Sequence, residues 1–139
     1  MGPGPSDVHP RVLAASARPT IGHLDPEFIT LMDEIKGLLR EAFKTNNAYT
    51  LPLSAPGSAA MEAAFANLVE PGDKVIVCIN GVFGARMAEN VRRMGGVLIT
   101  VEDRWGEPVD PEKLRAALVS HLDAKVVALV HAETSTGVC

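Results

Sequence analysis

The sequence predicts an α/β fold in which a parallel-type sheet is flanked by helices. Two observations lead to this class. Three short apolar runs, KVIVCI, VLITV and KVVALV, lack the polar–apolar alternation of half-exposed strands, and such runs are typical of strands buried on both faces. Segments with helical spacing separate these runs, and an alternation of strands and helices indicates a parallel sheet.

The first predicted helix lies in DPEFITLMDEIKGLLREAF, residues 25–43. Its apolar residues recur every three or four positions. Asp25 is suited to cap the helix N-terminus, and Pro26 fits the first helical position. The preceding GPGPSDVHPRVLAASARPTIGH is rich in glycine and proline. Residues 1–24 are therefore expected to form an irregular arm or the edge of an active site.

A short strand and a second helix are predicted next. YTLPL, residues 49–53, is a strand candidate, although Pro52 restricts it to an edge or to a strand end. GSAAMEAAFANLV, residues 57–69, is rich in helix formers. Pro71 and Gly72 supply turn chemistry that ends this helix.

The rest of the chain alternates regularly. Two further helices are expected, VFGARMAENVRRM, closed by Gly95 and Gly96, and a helix with Asp110 as its N-cap and Pro111 in its first turn. The predicted strands of this part are KVIVCI (74–79), VLITV (97–101) and KVVALV (125–130), and the loop HAETSTGVC follows the last of them.

Composition narrows the classes of function. The 139 residues suffice for one domain with a core, and that core must be aliphatic because only 4% of residues are aromatic. A net charge of −4 gives no electrostatic reason to expect a nucleic acid or a membrane surface as partner. We see no secretory signal, no apolar run of membrane-spanning length and no metal or disulfide spacing around Cys78, Cys139 or the histidines. A cytoplasmic protein without a metal is expected.

Ligands of parallel sheets gather at the carboxyl ends of the strands, where three loops of small or hydroxyl residues are predicted: SAPGSA, NGVFG and HAETSTG. The first loop opens a helix whose initial N–H groups lack intrahelical partners. Gly57, Ser58 and Ala59 would present these groups to an anion, and a phosphate suits them. The alternative is a helix that Ser54 or Ser58 merely caps.

Five segments follow one another along the chain: GPGPSDVHPRVL, GHLDPEF, GSAAMEAAFANLVEPGDKVIV, NGVFGARMAE and HAETSTGV. Together they resemble the class V, fold-type I aminotransferases that use pyridoxal 5′-phosphate (PLP), and they are most similar to the alanine–glyoxylate and serine–glyoxylate (serine–pyruvate) branch. The resemblance covers essentially the whole chain as the N-terminal portion of such an enzyme. It implies that residues 25–139 form part of the PLP-binding large domain.

The resemblance implies roles for individual residues. Gly57, Ser58 and Ala59 fall where the family holds the cofactor phosphate. Phe83 falls where the family stacks an aromatic ring on the pyridine. The remaining implied contacts are Thr134, and secondarily Ser135, beside the cofactor, and Gly4 toward a substrate carboxylate.

The implied activity is transfer of an amino group from alanine or serine to glyoxylate or pyruvate, by an enzyme that is a homodimer at full length. This chemistry needs a lysine that holds the cofactor and moves a proton. The lysines are Lys36, Lys44, Lys74, Lys113 and Lys125, and none is expected at the required position. We therefore expect a truncated part of a larger enzyme that is inactive alone.

Two other readings stay open. One is a phosphate- or nucleotide-binding α/β module without chemistry of its own. The other is a degenerate subunit that needs a partner chain. Among the other polar residues, Glu62 is expected to support its helix, Glu133 to shape its loop, and Arg86 to be solvated.

Overall fold

The computed structural model describes residue 4 and residues 6–139. It divides into two compact units, residues 6–54 and residues 55–139, the latter together with Gly4. Gly2, Pro3 and Pro5 of the GPGP motif lie outside the described residues. The helices are α1 (Pro10–Ser16), α2 (Pro26–Phe43), α3 (Gly57–Leu68), α4 (Val82–Arg93) and α5 (Pro111–Ser120), and the strands are β1 (Lys74–Ile79), β2 (Val97–Glu102) and β3 (Ala124–Ala128).

The first unit contains α1 and α2. The Asp25 carboxylate accepts a hydrogen bond from the Glu27 N–H at 2.8 Å, which confirms the predicted cap of α2. The short helix α1 interrupts the arm that we expected to be irregular. It begins at Pro10, and the His9 imidazole accepts a hydrogen bond from the Arg11 N–H, so local capping is sufficient to start one turn of helix there.

The prediction of a strand at residues 49–53 is wrong, since this stretch is irregular and largely exposed. Pro52 has no N–H to offer a neighbouring strand. The carbonyls just before this stretch are already bonded, because the Arg40 side chain donates to the carbonyl oxygens of Asn47 and Ala48.

The second unit is built on a three-stranded sheet in the order β2–β1–β3, in which both pairings are parallel. This confirms the predicted α/β class. The helices α3 and α4 cover one face, where Val75 and Val77 of β1 meet Phe65 and Val91. On the other face Ile76 and Cys78 pack with residues that include Leu114 of α5. The central strand β1 is thus buried on both faces, as its sequence predicted.

The outer strands differ from the prediction of full burial. Residues of β2 are mostly half-buried or exposed, and β3 alternates between half-buried and exposed. Each pairs with β1 on one side only among the described residues. An apolar run therefore identifies these strands but does not distinguish a central strand from one at the edge of the described sheet.

Reciprocal ion pairs join the amino ends of β1 and β3. The Lys125 ammonium lies 2.7 Å from a carboxylate oxygen of Asp73, and the Lys74 ammonium lies 2.7 Å from one of Asp123. These pairs place Lys74 and Lys125 at the edge opposite the loops that follow the strands, as predicted.

Candidate functional site

The candidate site lies where the strands of the second unit end. Helix α3 leads into β1, so it runs back along the sheet and its N-terminus reaches the same edge as the loops after β1 and β3. A hydrogen bond from the Arg86 guanidinium to the Ser58 hydroxyl joins the first turn of α3 to α4. The three predicted loops therefore meet, although the strand predicted before the first of them is absent.

The N-terminus of α3 is open. Pro56 occupies the N-cap position, and no side chain caps the helix. The Ala59 N–H bonds to the Pro56 carbonyl at 2.9 Å, whereas we find no acceptor among the described residues for the N–H groups of Gly57 and Ser58. Because the Ala59 N–H already donates to the Pro56 carbonyl, it is less available to a phosphate than the N–H groups of Gly57 and Ser58. Gly57 and Ser58 retain donors that favour an anion.

The Ser58 hydroxyl is in use as an acceptor but not as a donor among the described residues. It accepts a hydrogen bond from Arg86, and a hydroxyl can donate its own hydrogen at the same time. The Arg86 guanidinium also lies over the Phe83 ring, 5.2 Å from its centroid, at a distance typical of a cation–π contact. Arg86 was expected to be merely solvated. Its spacing of three residues from Phe83 on a helix is the signal that could have identified the contact.

Phe83 is half-buried in the first turn of α4. The turn packs closely on β1, because a Cβ added at Gly84 would lie 2.8 Å from the Cys78 carbonyl oxygen. The aromatic ring is therefore carried by a helix start whose backbone is fixed against the central strand, at the edge where ligands of such sheets bind.

Helix α4, unlike α3, is capped by a residue far away in the chain. Glu133, which is fully buried, accepts hydrogen bonds at one carboxylate oxygen from the N–H groups of Phe83 and Gly84, at 3.0 and 3.2 Å. The Ser135 hydroxyl accepts from the Val82 N–H at 3.0 Å and donates to the other oxygen of Glu133 at 2.6 Å. The first three N–H groups of α4 are thus satisfied.

The two helix N-termini at this edge therefore differ. A carboxylate of the chain itself already occupies the positive end of α4, while α3 offers its end to an external anion. Ser135 has its hydroxyl committed to the cap, whereas Thr134 beside it is exposed. The loop returns on itself through a bridge between Glu133 and Val138.

Sequence reasoning expected Glu133 to shape its loop and missed its contact with α4. The partners are about fifty positions apart, so no local pattern marks the contact. Glu62 is exposed, and His131 lies 3.9 Å from Cys139. Gly4 is exposed with a φ of 149°, and its contact with a substrate carboxylate stays a prediction.

The positions of the lysines are in part as expected. Lys36 lies in α2 and Lys44 at its end, whereas Lys74 and Lys125 lie at the amino ends of their strands. Lys113 was expected only on a helix, but its ammonium reaches the end of β2, where it contacts the Glu102 carbonyl and the Asp103 carboxylate. The hydrogen bond that Lys113 donates to Asp103 raises the pKa of Lys113. This amine is therefore held as a cation, which disfavours its use as a nucleophile.

Among the described residues, no group of three or more His, Cys, Asp or Glu side chains could hold a metal ion. Within the same residues, no helix combines the length and apolar character needed to cross a membrane.

Comparisons with known proteins agree on one family of enzymes. No protein-family model matches the chain. The chain is 39% identical over 137 residues to (S)-ureidoglycine–glyoxylate transaminase of Bacillus subtilis and 41% identical over 138 residues to alanine–glyoxylate aminotransferase of Rattus norvegicus, and each match covers 99% of this chain. The chain spans about a third of the length of these relatives, 33% in both cases.

A solved structure of alanine–glyoxylate aminotransferase from Nostoc sp. superposes with a TM-score of 0.91 at 50% identity, covering 99% of this chain and 36% of that one. Because the match covers 99% of this chain, it takes in the helix starts and the loops of the candidate site. By sequence and by fold, the chain is similar over 99% of its length to these aminotransferases, and it matches the N-terminal part of the solved structures.

Proposed function

We propose that this chain forms the phosphate- and ring-binding part of a PLP-dependent aminotransferase. The single observation that carries the proposal is the uncapped N-terminus of α3 beside Phe83, in a chain 39–41% identical to aminotransferases over nearly its whole length. An open helix start suits a phosphate, and a half-buried aromatic ring at the ligand edge suits contact with a flat, electron-poor ring.

The residues present fit two parts of PLP. The N–H groups of Gly57 and Ser58 would donate to the phosphate, and the Ser58 hydroxyl has a hydrogen left to donate. Phe83 would contact the ring, and the exposed Thr134 is available on the loop beside it. When bound, PLP supplies an electron sink that stabilises negative charge at the α-carbon of an amino acid.

The chain's own residues fit the proton transfers less well. Lys113 is held by Asp103, and the other four lysines lie on α2 or at the amino edge of the sheet. We propose that the lysine that holds PLP is none of these five and belongs to residues other than 1–139.

The proposed donors are alanine or serine, and the proposed acceptors are glyoxylate or pyruvate. Relatives with similar identity include both ureidoglycine–glyoxylate and alanine–glyoxylate enzymes, and glyoxylate is the acceptor that their names share. A homodimer and a cytoplasmic location stay predictions from the sequence.

The experiment is an assay of the polypeptide encoded by the complete reading frame that contains this chain. Alanine and glyoxylate should yield pyruvate and glycine, with pyruvate followed by lactate dehydrogenase and NADH. Phe83→Ala should lower kcat/KM, whereas Leu122→Ala, at an exposed side chain on another loop, should not. Borohydride reduction and peptide mass spectrometry should find the PLP adduct outside residues 1–139.

Three outcomes would contradict parts of this proposal. An adduct at Lys113 would refute the assignment of the lysine. Tight PLP binding without amino transfer would favour a phosphate-binding module that lacks chemistry. Activity that requires a second, different chain would favour a degenerate subunit.

A further inference from the structure

We propose that Glu133 is a positioning residue for the cofactor site, acting through the backbone of Phe83. The inference rests on the proposed function and extends it to a buried carboxylate that contacts neither the α3 N-terminus nor any exposed residue of the site other than Ser135. Both of its oxygens accept hydrogen bonds, and the donors come from the first turn of α4 and from the loop after β3.

The aromatic ring of Phe83 is held through the backbone of its own helix turn. One oxygen of Glu133 binds the N–H groups of Phe83 and Gly84, and these bonds fix the backbone from which the Phe83 ring projects. A hydrogen bond to a charged acceptor is stronger than one between neutral groups. The direction of the ring therefore depends on a carboxylate about fifty positions away.

The loop after β3 is held by the same carboxylate. The other oxygen of Glu133 binds both the N–H and the hydroxyl of Ser135, at 3.3 and 2.6 Å. Thr134 lies between these two residues, so its backbone is held on both sides. One buried carboxylate thus fixes the relative position of Phe83 and Thr134, the two residues proposed to contact the ring side of the cofactor.

This arrangement also requires close packing between Gly81 and the Glu133 side chain. A Cβ added at Gly81 would lie 2.3 Å from Cγ of Glu133 and 2.4 Å from its Cδ. Only glycine leaves room for the carboxylate at the start of α4. Glycine at position 81 and Glu133 therefore act as a matched pair, and neither is needed for a phosphate bound at α3.

The test uses Glu133→Gln. This substitution preserves the shape of the side chain and one carbonyl acceptor. It removes the charge, and it places an NH2 group against hydrogen-bond donors that a carboxylate oxygen accepts. A matched control is Asp103→Asn, because Asp103 is also a largely buried carboxylate that accepts a backbone N–H, from Asp110 at 3.0 Å, at a different helix start. All variants are made in the polypeptide encoded by the complete reading frame, which is the parent chain of this test. The readouts are amide hydrogen exchange by NMR and the affinities for PLP and for inorganic phosphate.

We expect Glu133→Gln to speed exchange of the Phe83 and Gly84 amides and to weaken PLP binding, each by about tenfold, which corresponds to the loss of a charge-assisted hydrogen bond. The affinity for inorganic phosphate should stay unchanged. Asp103→Asn should change neither the affinity for PLP nor the affinity for inorganic phosphate. A Glu133→Ala variant should show the same pattern more strongly if it folds.

The other outcomes separate the two claims. If the parent chain binds PLP and Glu133→Gln binds it equally well, the positioning role is refuted and the proposed function stands. If Glu133→Gln and Asp103→Asn weaken PLP and phosphate alike, the effect is general destabilisation and the positioning role is refuted. If the parent chain binds no PLP, the proposed function fails, and the role of Glu133 in the cofactor site fails with it.

Discussion

At the scale of single residues, the site depends on which polar groups are already used. Within the part of the chain that the structure describes, the N–H groups of Gly57 and Ser58 have no acceptor, while the equivalent donors of α4 are occupied by Glu133 and Ser135. The sequence alone suggested small residues at both helix starts and could not distinguish them. The distinction arises from a contact across about fifty positions, and long-range contacts leave no periodic signal.

The pairing of Gly81 with Glu133 gives a prediction for stability. Gly81→Ala should lower the free energy of unfolding by about 1–3 kcal/mol, since the added methyl group would overlap a buried side chain on a well-packed edge. Urea denaturation followed by circular dichroism measures this change. Gly57→Ala is the control, because a Cβ there meets nothing within 4 Å, and a change below about 1 kcal/mol is expected.

An unchanged stability of Gly81→Ala would show that Glu133 can move away at little cost. The close approach of glycine and carboxylate would then not be a requirement of the fold.

At the scale of elements, capping and turn residues predicted the helices well. Asp25 and Asp110 cap α2 and α5 through hydrogen bonds of 2.8 Å, as their positions before a proline indicated. The failure at residues 49–53 has a physical origin, since strand formation depends on a neighbouring strand rather than on local preference. The burial of β2 and β3 was overestimated because each of them has a neighbouring strand on one side only among the described residues.

The ion pairs between β1 and β3 make acid stability testable. The hydrogen bond from Lys125 lowers the pKa of Asp73 below 3.8, and the one from Lys74 lowers the pKa of Asp123. A lowered pKa in the folded state stabilises the fold above the pKa of the unfolded state. This contribution is lost as the pH falls through the folded pKa.

The urea midpoint of the parent chain should therefore fall as the pH drops below about 4. Lys125→Met should show a shallower fall, because Asp73 loses the partner that lowers its pKa. Lys44→Gln serves as the control, since Lys44 has no ion-pair partner among the described residues. Parallel profiles for Lys125→Met and the parent would show that the pair does not couple protonation to folding.

At the scale of the whole molecule, the α/β class, the parallel sheet and its two covered faces followed from the apolar runs and their spacing. The apolar stripe of α2 does not indicate the division into residues 6–54 and 55–139, and the expectation that residues 25–139 form part of one domain stays a prediction. No residue of α2 is buried in this chain. A stripe predicts that a helix will pack against a partner but does not identify the partner.

The central claim is that the second unit binds PLP through the start of α3 and through Phe83. The most direct test is an NMR titration of the polypeptide encoded by the complete reading frame, with PLP and, separately, with inorganic phosphate. PLP should shift the amide signals of Gly57 and Ser58 and the signals of the Phe83 ring, whereas phosphate should shift only the two amides. Shifts by PLP confined to other residues, or no shifts at all, would contradict the account.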